Sequence, residues 1–202
     1  AANSSPGNDI IAFGLPVGTV ISPLSELPPV TTTLSIQSGA APDGTRGVEI
    51  DGSQIVGGPA DGIKLRASGC FIYGLAINRM PAVSNGNGSV TGGNGITLES
   101  TSSLPNNGGN YVVGLFLGTD ATGNIARPNG ATGMLIFDSD ANSVGGSGAS
   151  FRNVMSGNNG PAGSLGATGL AVTAGNSNNF QNNVIGPNAA GTAKLGNING
   201  VF

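Results

Sequence analysis

Arg152-Asn153-Val154-Met155-Ser156-Gly157-Asn158, then Gly169-Leu170-Ala171-Val172, then Asn183-Val184-Ile185-Gly186, then Asn197-Ile198-Asn199-Gly200-Val201: through residues 141–202, short apolar pieces alternate with Gly, Asn and Ser. Each piece is three or four residues long, which suits a strand and is too short for a helix. The breaks are turn residues: Gly tolerates positive φ, and Asn bonds to nearby backbone. The phrase also runs backwards along the chain. Gly62-Ile63-Lys64-Leu65 returns as Gly95-Ile96-Thr97-Leu98, Gly133-Met134-Leu135-Ile136, Gly169-Leu170-Ala171-Val172 and Gly200-Val201-Phe202, at intervals of 33, 38, 36 and 31 residues.

A second apolar cluster lies inside these intervals, as Phe71-Ile72-Tyr73-Gly74-Leu75-Ala76-Ile77 and Tyr111-Val112-Val113-Gly114-Leu115-Phe116-Leu117. A glycine in the middle bends one strand into two, so each interval holds three strands and their turns. One such unit cannot bury its own inward side chains, whereas stacked units make a continuous column. The expected fold is therefore all-β: a right-handed parallel β-helix (solenoid), a single domain over residues 1–202. It would have about six coils, loop insertions and an extended segment at residues 1–9. A β-sandwich would instead show hairpins every 8–12 residues and no long-range phrase.

Further out, strands are expected at Ile10-Ile11-Ala12-Phe13, Thr19-Val20-Ile21, Thr32-Thr33-Leu34-Ser35-Ile36 and Val48-Glu49-Ile50. Pro23, Pro28 and Pro29 exclude a central strand between the second and third. Asp43-Gly44 and Asp51-Gly52 mark turns. The longest internal match aligns Leu117-Gly118-Thr119-Asp120-Ala121-Thr122-Gly123 with Ile185-Gly186-Pro187-Asn188-Ala189-Ala190-Gly191. These insertions leave and rejoin the coil at the same place, so the two loops are expected to stack on one side.

Composition narrows the function. Only 8% of residues are charged while 38% are hydrophobic, which is the wrong balance for disorder. Seven basic residues scattered singly offer no phosphate-binding patch, so nucleic acid is not an expected partner. There is no His, which removes the commonest general base and metal ligand. Cys70 has no partner for a disulfide and is expected as a small core residue. No apolar run is long enough for a membrane-spanning helix.

The phrases Arg152 to Asn158, Gly169-Leu170, Asn183-Val184-Ile185-Gly186 and Gly191-Thr192-Ala193-Lys194-Leu195-Gly196-Asn197 resemble a bacterial family of secreted right-handed β-helix repeat proteins, of the pectin-lyase-like superfamily. Its repeat runs roughly RNVISGN, NGV, then IGTDxxGTxxLGN. Met155 stands where the family has Ile, and Pro187-Asn188 where it has Thr-Asp. Asp9-Ile10-Ile11-Ala12-Phe13, Leu27-Pro28 and Ile50-Asp51-Gly52-Ser53 extend the likeness to the first half. The resemblance implies an extracellular or cell-surface location and a stalk or surface-layer role. It also implies longer relatives, with a helical cap before the coils and further coils after them. Open sheet ends are pairing templates. The expectation is therefore either a piece of a longer chain or ends that dock head-to-tail on neighbouring molecules, which builds a filament.

Chemistry is thinner. Polysaccharide lyases and hydrolases of this superfamily use paired carboxylates, and Asp138 and Asp140 are the candidates, with Asp120, Arg127 and Arg152 as neighbours to look for. The structural alternative makes Asp138-Ser139-Asp140 a turn rim whose carboxylates hold backbone N–H groups. Glu49 and Asp51 share the spacing but abut a turn signal. Asp120 is the one candidate ligand for calcium, the only cofactor left open; an Asx turn is the structural alternative. Asn142, Asn153, Asn158, Asn182, Asn183 and Asn197 are expected as stacked structural ladders, alongside the phrase glycines Gly62, Gly95, Gly133, Gly169 and Gly200. Asn3-Ser4-Ser5 and Asn87-Gly88-Ser89 match the glycosylation triplet. Thr31-Thr32-Thr33 does not recur at the coil interval, which argues against an ice-binding face. The leading expectation is a structural surface or filament subunit that self-associates. Enzymatic action on polysaccharides and a carbohydrate-binding module are the alternatives. The last would want exposed aromatics, and the sequence offers Tyr73, Tyr111 and a few Phe.

Overall fold

The strands fall into six tiers of up to three. A computed structural model of the chain describes Ser4 and residues 7–41, 43–101, 107–160 and 167–202. The first tier has β1 (Asp9–Ala12) and β2 (Thr19–Ile21), and the second has β3 (Leu34–Gln37), β4 (Val48–Asp51) and β5 (Ile63–Leu65). The third has β6 (Phe71–Tyr73) and β7 (Leu75–Asn78), then an inserted pair, β8 (Ala82–Ser84) and β9 (Val90–Gly92), then β10 (Ile96–Glu99). The fourth has β11 (Tyr111–Val113), β12 (Phe116–Leu117) and β13 (Met134–Phe137). The fifth has β14 (Ser143–Gly145), β15 (Val154–Met155) and β16 (Thr168–Thr173), and the sixth has β17 (Asn179–Gln181), β18 (Val184–Ile185) and β19 (Asn199–Val201).

Equivalent strands stack in parallel into three sheets. The first is β1-β3-β6-β11-β14-β17, the second β2-β4-β7-β12-β15-β18, and the third β5-β10-β13-β16-β19. A parallel bridge from Val30 to Leu65 gives the first tier a foothold in the third sheet. The chain thus visits the sheets in strict rotation. In the third sheet Ile63, Ile96, Met134 and Leu170 are in register, as the interval of the glycine phrase requires.

Alternation along each strand sends one set of side chains into a single apolar cluster that draws on all three sheets. Ile36, Ile72, Val112 and Val144 come from the first, Ile50, Ile77, Leu117 and Met155 from the second, and Leu65, Leu98 and Ile136 from the third. Each fully buried Leu or Ile contributes roughly 1.5–3 kcal/mol. Cys70 belongs to this cluster, and burial pushes its thiol pKa up, so it is packing matter. A smaller second core lies on the other side of the second sheet. There Ala76, Phe116 and Val154 pack with Ala121 and against Val184 and Ala189, beneath the two insertion loops.

Two kinds of glycine shape the tiers. Gly74 and Gly114, at φ 79° and 64°, turn the chain from the first sheet to the second, a conformation that side chains resist. The phrase glycines have ordinary φ and are needed for space. A Cβ on Gly95 would sit 2.7 Å from the carbonyl oxygen of Gly133, on Gly133 2.7 Å from that of Gly169, and on Gly169 2.9 Å from that of Gly200. Gly62 would meet the Gly95 carbonyl and Ile77 in the same way.

One element departs from the expectation of purely parallel pairing. β8 and β9 form an antiparallel hairpin. Asn85-Gly86-Asn87-Gly88 supplies the turn between Val83 and Val90, a local signal for a hairpin that the repeat phrase does not carry. The triplet at Asn87 sits on this exposed tip, where Asn87 Oδ1 accepts from Ser89 N–H at 3.1 Å. The triplet beginning at Asn3 lies outside the described residues.

Gly95→Ala or Gly133→Ala should destabilise the protein by about 3 kcal/mol, because the opposing atom is backbone and cannot swing away. Gly200→Ala, with nothing within 4 Å of the added methyl, should cost within about 0.5 kcal/mol. Urea denaturation followed by circular dichroism reads the difference.

Candidate functional site

Corner asparagines carry most of the buried polar chemistry. Between the third and first sheets, Asn110 Oδ1 accepts from Cys70 N–H, while Asn110 donates its backbone and amide N–H to Asn142 Oδ1 at 3.1 and 3.0 Å. Asn142 repeats the pattern to Asn178 Oδ1 at 2.9 and 2.8 Å. Between the first and second sheets, Leu115 N–H donates to Asn153 Oδ1, and Asn153 Nδ2 donates to Asn183 Oδ1. Between the second and third, Met80 N–H donates to Asn129, Asn129 Nδ2 to Asn158, and Asn158 to Asn197. Asn110, Asn129, Asn142, Asn153 and Asn158 are fully buried, and each turns tightly packed backbone groups into satisfied ones. Asn182 is not a rung: at φ 54° it is exposed, bonding to Arg152 and to the Gly146 carbonyl. The rungs Asn110 and Asn178 were readable as the Asn immediately before β11 and β17, the place Asn142 holds before β14.

Asp61 begins a fourth ladder on the approach to the third sheet. Its Oδ1 accepts from Asn94 N–H and Nδ2, its Oδ2 from Thr97, and Asn94 Oδ1 accepts from Thr132 N–H. Burial raises its pKa against the pull of these bonds and of Lys64.

The candidate catalytic pair lies elsewhere. Asp138 and Asp140 follow β13 instead of lying in it, with Asp138 at φ 51° and Ser139 buried between them. Asp140 Oδ1 accepts from Asn176 N–H at 2.6 Å, while the buried Ser139 donates to the Asn107 carbonyl. Neither aspartate pairs with Arg127 or Arg152 among the described residues. Asp120 is occupied by its own loop: Oδ1 accepts from Asn124 N–H and Ile125 N–H at 3.1 Å, and both oxygens take the Thr122 hydroxyl at 2.9 Å. Asn188 does the same in the second loop for Thr192 and Ala193. No group of three or more His, Cys, Asp or Glu able to hold a metal occurs among the described residues.

The two insertion loops stack as the internal match predicts. Asn188 Nδ2 donates to Asn124 Oδ1 at 3.1 Å, and Ala189 N–H to the Gly123 carbonyl at 2.9 Å. The first loop is clamped to β4 by Glu49, which is almost wholly buried. Glu49 accepts from Ala121 N–H and Asn78 Nδ2 and forms an ion pair with Arg127. Asp51 caps the 3-10 turn at Gly52–Gln54 and pairs with Arg79 at 2.7 Å.

Between these loops and the second sheet lies a cavity of about 270 Å³. Arg46, Phe116, Thr122, Asn124 and Arg152 line it. Arg46 is only 3% exposed, and its guanidinium lies over the Phe116 ring, 4.0 Å from the centroid. Burial lowers its pKa to about 10, with Tyr73 opposing. The sequence offered no signal for this cavity, because its walls come from four different tiers.

The chain matches no known family model, no curated protein and no solved structure.

Asn153→Ala strands the fully buried Leu115 N–H and should cost about 3 kcal/mol, whereas exposed Asp138→Asn, which keeps a side chain suited to φ 51°, should cost within about 0.5 kcal/mol by the same denaturation. A carboxyl whose folded pKa is raised contributes stability below its unfolded pKa and loses it as pH rises through the folded one. Asp61→Asn keeps the oxygen that Asn94 needs. Its stability relative to wild type should therefore improve as pH is raised from about 4 to 7; parallel melts at several pH values read the sign.

Proposed function

We propose that this chain is a structural extracellular β-solenoid: a right-handed parallel β-helix of the secreted bacterial type that its repeat phrase resembles, whose end coils stack head-to-tail on further copies. Rotation of the chain through three sheets around one shared core supports closure into coils. Parallel strands joined by crossovers are right-handed in about 98% of cases, which supports the hand.

The observation that carries the reading is the stack of three parallel sheets, tier on tier, over one apolar core. Among the described residues β1 and β2 pair on one side only, as do β17, β18 and β19. Apolar side chains crowd these tiers: Ile10 is 69% exposed and Val201 63%, with Val17, Val20, Leu24 and Phe202 beside them. An open edge with apolar neighbours is a template for another strand. Stacking of unlike tiers between copies is heterologous, so it propagates instead of closing. Asp140's engagement with Asn176 supports a structural role for that corner over an enzymatic one.

Carbohydrate binding is the second reading, favoured by the outer face of the first sheet. Tyr111, 54% exposed, lies in register beside Phe71, and Phe71, Tyr73 and Phe151 continue the aromatic surface at centroid spacings of 6.1 and 6.0 Å. Flat rings with one free face offer a stacking surface for sugars.

Sedimentation velocity over a hundredfold range of protein concentration, with electron microscopy of the concentrated sample, tests assembly. Linear polymers are expected, and Ile10→Lys or Val201→Lys should leave monomers. A monodisperse monomer at the highest concentration overturns the filament. Affinity electrophoresis in polysaccharide gels tests the second reading: retardation should vanish in Tyr111→Ala.

A further inference from the structure

We infer that the cavity beside Arg46 is a binding site for a small oxyanion: a carboxylate, sulfate or phosphate group held by the Arg46 guanidinium, with Arg152 on the cavity wall. The argument starts from an imbalance. Arg46 is buried with a full positive charge, and no carboxylate lies within 4.0 Å of it among the described residues. Its Nε is buried with no acceptor, and its one side-chain bond to a described residue is a long one, from Nη2 to the Arg152 carbonyl at 3.4 Å. A buried charge without a partner is among the costliest features a fold carries. Stacking on Phe116 recovers part of that cost.

The surroundings hold the arginine ready for a ligand. Arg46 N–H donates to the Ala121 carbonyl, and Ala40 bridges Arg46 across the turn, so the backbone is fixed from both sides. Arg152 also lines the cavity, its carbonyl accepting from Arg46 and its Nε donating to Asn182 Oδ1 at 3.3 Å. Asn124 lines the wall with its amide oxygen already taken by Asn188, which leaves its amide nitrogen as a donor. The planar fork of arginine matches an oxyanion with two parallel hydrogen bonds, a geometry that a chloride ion cannot exploit. A volume of about 270 Å³ suits a single anionic group or a small acid and is less than most drug-sized sites need.

Two acidic groups face this region, and neither neutralises Arg46. Asp120 directs both oxygens into its own loop. Asp43 lines the mouth, fully exposed, with Oδ1 accepting from Thr45 N–H at 2.9 Å. Asp43 opposes an incoming anion and sets a selectivity for ligands that bring more than simple charge.

Isothermal titration with sodium sulfate, sodium phosphate and sodium acetate, against sodium chloride at matched ionic strength, tests the site. At least one oxyanion should bind saturably with one-to-one stoichiometry. At a hundredfold excess over Kd it should raise the melting temperature by about 5 °C. Arg46→Met should abolish both effects. It also removes an unpaired buried charge, so the fold is expected to survive it. Arg152→Gln, at the half-buried rim, should weaken binding by about tenfold, and Asp43→Asn should tighten it. Should Arg46→Met not fold, the rim pair decides. Absence of saturable binding by any of the three oxyanions overturns the proposal, as does equal binding by Arg152→Gln. So does an Asp43→Asn variant that melts lower with unchanged anion affinity, because Asp43 would then be the counter-ion of Arg46.

Discussion

Everything in this fold follows from the distance between tiers. Parallel strands one tier apart lie about 4.8 Å from each other, and at that spacing every atom has a counterpart directly above or below. The glycine column shows the constraint most sharply. Gly62, Gly95, Gly133 and Gly169 each present a bare Cα to the carbonyl of the next, with no room for a methyl group between them. Gly200, with no described atom within 4 Å of an added methyl, is free of the constraint.

Vertical register also explains the asparagines. A strand satisfies its backbone through the sheet, but a corner leaves amides and carbonyls that point along the stack. Asn carries both a donor and an acceptor on a side chain short enough to reach one tier. A run such as Asn110, Asn142 and Asn178 therefore extends the sheet's bonding around a bend. Buried in an apolar interior, such bonds are costly to break and so hold the tiers in register. Low charge fits the same logic: inward positions are apolar, corners are amides, and few sites remain for ions.

The second sheet adds a different element. Its outward residues, Phe116, Val154 and Ala76, are covered by loops inserted in two separate tiers. Stacking of those loops roofs over the sheet, and Glu49 bolts the first loop down from two tiers away. Roofing a sheet with irregular chain leaves a partly open cleft, and that is where Arg46 meets the Arg152 carbonyl. The regular part of the molecule gives shape, and the irregular part gives it a site.

The sequence by itself determined the three-strand repeat, the stacking of the two insertions, the apolar column and the structural role of Asn142, Asn153, Asn158, Asn183 and Asn197. It could do so because each is periodic, and stacked tiers write their vertical neighbours into the chain at near-constant intervals. The hairpin at residues 82–92 was local enough to read but lay outside the repeat. Only the tertiary structure decided what is not periodic. Asp138 and Asp140 lie past the end of β13, at a corner where Asp138 takes a positive φ and Asp140 holds the Asn176 N–H. Arg46, 106 residues from Arg152, meets it only after folding stacks the tiers between them. Contacts of that kind arise once in the chain, and no interval announces them.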